Sequence, residues 1–437
     1  MPTERSLPFP EGFLWGSAVS AHQTEGANDN SDWWEHESAP GTNANAASGI
    51  ACDSLHRFAE DWKLAAGSGQ NAVRFSIEWA RIEPAPGEFS IEAFDHYREV
   101  IGTARDLGLT TSVTLHHFTN PRWFAARGGW SSSESAEAFS RYAPAAGDAL
   151  GDLLQIVNTI NEPSVVAIVG HLMGYFPPRI TEVETTHTVT VNLLRAHAAA
   201  RDQIRATSGA TVGLPLSVSD FVPADGSAEA RRARDYMHHW WVSVWVDALR
   251  TGRVSGLEVP EETIGGLAGG DDFVGIQYYS CFPVGAGAEG GANARLPASA
   301  TQMRDVPVSA YRSDRRTQVG WTWYPEGLGN VIDEVSAAGL PIQVTENGIA
   351  TADDAERIEF TTLHLEQLHA SIARGRDVRG YFHWSLLDNF EWNEGYRPAF
   401  GLVAVDRATM ERVPKPSLAW YGAVARANAV RRSADVP

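Results

Sequence analysis

Lysine is nearly absent from this chain. Of its 437 residues only Lys63 and Lys415 carry a side-chain amine, and the remaining basic charge is arginine. A Schiff-base mechanism needs a lysine at the reacting carbon, and a phosphate-binding P-loop needs Gly-Lys-Ser/Thr. Neither lysine stands in such a context, which removes both chemistries. Cysteine is too scarce for a disulfide framework: Cys52 and Cys281 are the whole complement, and a reducing compartment follows. The opening residues, Met1-Pro2-Thr3-Glu4-Arg5, lack the basic and apolar regions of a secretory leader. No run of about 18 apolar residues is available to span a bilayer. Positive charge is also in deficit, with 35 Lys and Arg against 54 Asp and Glu, a net −19. That balance disfavours nucleic acid and anionic membranes as partners. The expectation is a soluble, cytoplasmic protein; a homo-oligomer is compatible with it.

What the chain does have is a regular alternation. Hydrophobic residues make up 43% and aromatics 10%, enough for a large core. Short β-branched runs fall at about 13–18, 71–77, 109–116, 155–161, 211–218, 273–279, 341–346 and 378–385. Continuous runs of this kind suit parallel strands buried on both faces. Helical patterns lie between them, near 53–66 after an Asp53 cap, 91–107 after Ser90, and 134–150 among serines. Others lie near 185–206, 228–250, 325–338, 355–374 and 416–431, with Ile358, Leu365, Leu368 and Ile372 marking a core face in one of them. Eight strand–helix pairs predict an α/β fold, a single (β/α)8 barrel across residues 1–437. The Gly/Ala-rich stretch 284–317 reads as a loop after the sixth strand.

Barrel enzymes carry their chemistry at the C-terminal ends of the strands. Those positions hold Gln23, Arg74, His116-His117-Phe118, Asn161-Glu162-Pro163, Gln277-Tyr278-Tyr279, Thr345-Glu346-Asn347-Gly348, Trp384 and Glu391-Trp392. Two glutamates at the ends of the fourth and seventh strands face each other across the mouth. Paired carboxylates flanking a scissile bond are what glycoside hydrolysis requires, one protonated and one ionised. Arg74 can hold one of them ionised. Aromatic rings stack on sugar faces, and Asn, Gln, His and Glu bind hydroxyls, so the cleft reads as a saccharide site. No metal is expected, because His22, His36, His56 and His238-His239 lack a recurring ligand spacing, and no cofactor is expected.

The motifs FLWGSAVSAHQTEGA (13–27), NAVRFSIEWARI (71–82), TLHHF (114–118), NEP (161–163), QYYS (277–280), TENGIA (345–350) and GYFHWSLLDNFEWNEGYRPAFGLVAVD (380–406) occur in order. With them the chain resembles glycoside hydrolase family 1, the β-glucosidase and β-glycosidase family, over nearly its whole length. The resemblance implies a retaining double displacement with Glu346 as nucleophile and Glu162 as acid/base, their carboxyls about 5–5.5 Å apart. It implies support of the nucleophile by Arg74 and Tyr279, and contact of Asn161 with the sugar 2-hydroxyl. Gln23, His117, Glu391, Trp392 and Phe400 would bind the rest of the sugar, with Trp384 as the platform under the ring. Relatives that act on 6-phospho-sugars lack the equivalent of Glu391 and carry a lysine in that loop, so the glycone is expected to be unphosphorylated. Glucose leads, followed by galactose and fucose.

Departures from the family pattern are Gln277 for Asn, Phe118 for Trp, and Ser164 for a large aromatic. A small Ser164 would widen the aglycone side, which suggests a bulky or disaccharide aglycone or a disaccharide glycone, and Trp321 and Trp323 would line the aglycone rim. Trp15, Trp33, Trp34, Trp62, Trp79, Trp240, Trp241 and Trp245 read as packing residues, and Glu78 and Glu83 as ion-pair partners. Disaccharide release and transglycosylation stay open as alternatives, as does a catalytically silent sugar-binding barrel. Both glutamates count against the silent barrel. A metal-dependent barrel hydrolase would need a His-x-His near the first strand, which is absent.

Overall fold

The computed structural model describes residues 5–256, 259–285 and 313–432. Eight parallel strands close into a barrel: β1 (Leu14–Ala18), β2 (Ala72–Ser76), β3 (Thr110–His116), β4 (Ile156–Ile160), β5 (Thr211–Ser217), β6 (Phe273–Gln277), β7 (Ile342–Asn347) and β8 (Val378–Trp384). Each pairs with its neighbours in chain order, and β8 returns to β1 with Trp384 opposite Ala18. Every residue of β2, β4, β6 and β7 is buried. Burial on both faces is why these segments read as continuous apolar runs. β6 ends two residues before the expected boundary. A register shift after Ile276 sets Gln277 opposite Glu346, so Tyr278 and Tyr279 leave the sheet at the mouth.

The outer layer comprises α1 (Ser54–Ser68), α2 (Ile91–Asp106), α3 (Ser135–Leu150), α4 (Pro163–His171), α5 (Val183–Thr207), α6 (Ala228–His238), α7 (Val244–Thr251), α8 (Glu326–Val335), α9 (Asp354–Ala373) and α10 (Pro416–Ala427). Ser90 caps α2 as expected, its Oγ accepting from Ala93 N at 3.1 Å. Asp53 does not cap α1. It sits at φ 54° and its carboxylate binds His56 Nδ1 at 2.7 Å instead. No side chain caps α3 either; Ser132 Oγ accepts from Glu134 N in the turn before it.

The helix expected over 228–250 is divided. A π turn, His239–Ser243, separates α6 from α7, and the Trp240 carbonyl accepts the Trp245 indole N–H at 2.9 Å. The helix expected to 431 stops at Asn428, φ 48°, and Ala429–Arg432 pairs antiparallel with Arg5–Pro8. In α9 Leu365 and Leu368 are buried, whereas Ile358 and Ile372 are half-buried. The core face is shared with Arg357, whose guanidinium donates to the carbonyls of Ile349, Thr351, Ala399 and Phe400 at 2.7–3.1 Å. That fan ties the segment after β7 to the loop bearing Phe400. Of the predicted loop 284–317, residues 286–312 lie outside the described residues. The strand that leads into it, Cys281–Val284, pairs with Asp220–Pro223. Among the described residues no helix is long and apolar enough to cross a membrane.

Two ion pairs hold the C-terminal segment to the barrel. Lys415 Nζ donates to Asp388 Oδ1 and to the Gly401 carbonyl, each at 2.8 Å. Arg412 Nε donates to Asp61 Oδ1 at 2.8 Å with both side chains almost fully buried. Removing only the cation strands a buried carboxylate, so Arg412→Leu is expected to destabilise by about 3–5 kcal/mol at neutral pH. Burial already pushes the Asp61 carboxyl up, against the pull of Arg412. In the variant it rises further, so the penalty is full above that raised pKa and shrinks as pH falls through it. Urea unfolding of both proteins at two pH values measures this.

Candidate active site

β4 delivers Glu162 to the mouth through a backbone that few side chains tolerate. Glu162 has φ 42° and ψ 62°, in the left-handed region. The segment is held on both sides, Asn161 N donating to the His116 carbonyl at 2.8 Å and Glu162 N to Pro215 at 3.0 Å. Pro163 then opens α4 at a position where no N–H is needed. Glu346 projects from β7 and is 4% exposed. The glycine two residues on, Gly348, follows from packing: a Cβ there would collide with the Trp384 carbonyl.

Polar contacts converge on Glu346. Arg74 Nη1 donates to its Oε1, and Tyr279 Oη donates to its Oε2 at 2.5 Å. The other terminal nitrogen, Arg74 Nη2, donates to Asn161 Oδ1, which also receives Gln277 Nε2 at 2.7 Å. Two donors on Oδ1 orient the amide, so Asn161 Nδ2 faces His117 Nε2 at 3.3 Å. Burial holds the His117 imidazole well below its usual range, with the Arg74 charge second. His117 is therefore neutral, with Nε2 accepting and the Nδ1 proton available to a ligand.

The two glutamates are both buried but do not share one environment. Burial, then the Glu346 charge, pushes the Glu162 carboxyl well above the ordinary range, against a Ser217 hydrogen bond and Arg74. Burial raises Glu346 as well, but Arg74 and Tyr279 oppose it. The asymmetry puts the shared proton on Glu162 and leaves Glu346 ionised. Tyr279 keeps its proton, because burial and the Glu346 charge push its phenol up. Such a pair, a carboxylic acid beside a carboxylate with an arginine behind it, can protonate a leaving oxygen while attacking carbon.

A cavity of about 240 Å³ opens over the pair. Gln23, His117, Trp384, Glu391, Trp392 and Phe400 border it together with Glu162, Tyr279 and Glu346. Trp384 and Trp392 lie nearly parallel to His117, at 6.0 and 6.1 Å. Trp384 Nε1 donates to Glu391 Oε1 at 3.2 Å. Burial, ahead of the Glu346 and Asp388 charges, pushes Glu391 up to about 8. Gln23 Nε2 donates to Asn389 Oδ1 at 3.1 Å and to the Phe390 carbonyl at 2.8 Å, fastening the β1 end to the Glu391 loop. Arg74 and Asn161 lie behind this wall, acting on the carboxylate and on His117. Among the described residues no three His, Cys, Asp or Glu side chains converge as metal ligands.

The model of glycosyl hydrolase family 1 matches residues 5–430. The chain belongs to glycosyl hydrolase family 1. It is 34% identical to β-glucosidase A of Thermotoga maritima over 96% of this chain and 98% of that protein. It is 31% identical to a bifunctional β-D-glucosidase/β-D-fucosidase of Bifidobacterium breve, over 95% and 98%. Among solved structures, a β-glycosidase from Pyrococcus horikoshii superposes with a TM-score of 0.89 at 36% identity, covering 98% of this chain and 97% of that one. The enzyme is thus a β-glucosidase-like glycoside hydrolase.

Several residues of this family 1 hydrolase stand elsewhere than the sequence suggested. Ser164 is fully buried and does not border the cavity. With Glu162 as the helix cap, the cavity-facing turn of α4 falls on Val165 and Val169, four residues apart. Trp321 borders the cavity, whereas Trp323 packs on Phe360 and lies under Arg315 at 3.5 Å. Trp241 is buried in the core as expected, and from the π turn it also borders the cavity. Trp34 is only half-buried. Phe118 does reach the cavity, at φ 69°. His116 is a core histidine, its Nε2 against Asn120 Oδ1 at 3.0 Å. Glu83 lies 3.6 Å from Arg141. Glu78 instead accepts from Thr119 Oγ1 at 2.8 Å and caps the turn that starts at Trp79, and burial pushes it up to about 8.

One functional pair had no sequence signal. The His22 imidazole stacks on Trp392 at 5.5 Å and 4°, while its Nε2 meets Glu37 Oε2 at 3.3 Å. Glu37 in turn accepts from the Ser48 backbone N–H at 3.0 Å. These groups set the tilt of Trp392 from behind. Residues 15 positions apart on two separate short helices share no periodicity that would announce the contact.

Proposed function

We propose that this chain is a retaining exo-β-glycosidase acting mainly on unphosphorylated β-D-glucosides, carried by one barrel domain. The proton asymmetry between Glu162 and Glu346 is the observation that carries the reading. Glu346, ionised, attacks the anomeric carbon while Glu162 gives its proton to the departing glycosidic oxygen. The alcohol leaves and a glycosyl ester remains on Glu346. Glu162, now a carboxylate, takes a proton from water, and the water oxygen displaces Glu346 to release the sugar with its original configuration. Neutral His117 serves the sugar hydroxyls, oriented by Asn161, which is itself fixed by Arg74 and Gln277. Trp384 and Trp392 serve its faces, and the Glu391 carboxyl would repel a 6-phosphate once ionised. Relatives named for glucosidase and fucosidase activity support glucose and fucose as glycones, and galactose belongs to the same proposal. A cytoplasmic location is part of the same reading, on the scarcity of cysteine.

Nitrophenyl β-D-glucoside, β-D-fucoside and β-D-galactoside, with 6-phospho-β-glucoside as control, test this proposal. Release from the first three and none from the phosphate is the expected result; no release from any of them would end the reading. The profile of kcat/KM against pH is expected to be a bell. Activity falls at high pH as the raised Glu162 carboxyl loses its proton, and at low pH as Glu346 gains one.

A further inference from the structure

The cavity has two halves of unlike chemistry. Its floor carries the carboxyls, amides and imidazole described above. Its outer half begins where α4 leaves Glu162. Val169 stands about 10 Å along that helix from Glu162, well beyond the oxygen that Glu162 would protonate. Val165, Val169 and Met173 border the cavity on this side. An aromatic run leads outward from Tyr279 to Trp321 at 5.5 Å, then Phe282 at 6.1 Å, and through Phe221 to Trp241. Nearby polar groups already have partners. Ser217 bonds Glu162, and Glu394 accepts from Arg397 at 2.9 Å. Asn393 is held by His36 and by the Tyr175 carbonyl. What remains is Ser219; the Trp241 indole N–H has no protein acceptor but is itself buried. One such contact cannot replace the water around the hydroxyls of a hexose.

We propose that the outer half selects an apolar aglycone, an alkyl or aryl alcohol, over a second sugar. The inference rests on the catalytic reading above and adds the class of leaving group. A hexose placed here loses hydration without regaining hydrogen bonds, whereas an alkyl chain gains by leaving water.

The test compares kcat/KM for hexyl β-D-glucoside, methyl β-D-glucoside and cellobiose with the purified full chain. Hexanol and methanol are leaving groups of similar basicity, so their ratio reports the outer half alone. The hexyl compound is expected to exceed the methyl compound by about 100-fold and to exceed cellobiose as well. Val169→Asn is expected to lower the hexyl-to-methyl ratio by about tenfold. Met173→Gln on the same wall has to move that ratio the same way, so a folding defect in one variant does not decide the matter. Cellobiose equalling or exceeding the hexyl glucoside, or a hexyl-to-methyl ratio near one, would overturn the aglycone proposal while leaving the glycosidase reading intact. Absence of turnover on all three substrates would overturn both.

Discussion

Glu346→Ala is expected to lower kcat by more than about 10⁵-fold, the scale on which loss of a covalent nucleophile falls. The variant keeps Arg74 and Tyr279 in place but gives them no carboxylate to hold. The space vacated faces the anomeric carbon, so a small anion can enter it. Azide is therefore expected to restore turnover of an activated aryl glucoside. It attacks from the face that Glu346 occupied, with no second displacement, so the product has the α configuration. Carbon NMR of the product reads this directly, and a β-azide would place the nucleophile elsewhere. The same substitution removes the second-largest influence raising Glu162, so the Glu162 carboxyl is expected to titrate lower in this variant.

Glu162→Ala is expected to split substrates by leaving group. Alkyl glucosides need the proton and should lose about 10²–10⁴-fold. A dinitrophenyl glucoside needs none, so its first step survives while the second lacks a base. The glycosyl ester on Glu346 then accumulates, seen as a burst of phenolate followed by slow turnover. Azide resolves this ester from the water side and gives the β product, opposite to the Glu346 variant. The high-pH limb of the rate profile should also vanish, because the group that loses its proton there is gone. An unchanged limb would assign it to another carboxyl, for which Glu391, at about 8, is the candidate.

How far the sequence led depends on what each residue has to satisfy. The barrel strands were legible because both of their faces are buried, which enforces unbroken apolar runs at eight places. The site residues were legible because each sits at a strand end within a motif of several constrained positions. The Arg5–Pro8 and Ala429–Arg432 pair was not, since four residues show no periodicity and their pairing spans the chain. The α6–α7 break was hidden because a π turn adds one residue without changing composition. Ser164 misled for a different reason. Nearly every side chain of α4 is buried, so hydrophobicity does not distinguish the face toward the cavity from the face toward the barrel. Only the cap at Glu162 sets that phase, and its left-handed backbone is not written in the residue type.

The lysine shortage has a practical side. Lys415 is engaged by Asp388 and the Gly401 carbonyl, whereas Lys63 is exposed in the second half of α1. In a barrel each outer helix runs antiparallel to its strand, so that half of α1 lies toward the end opposite the mouth. Coupling to a solid support through a lysine side chain would therefore fix the molecule at Lys63, with the cavity turned outward to the substrate stream.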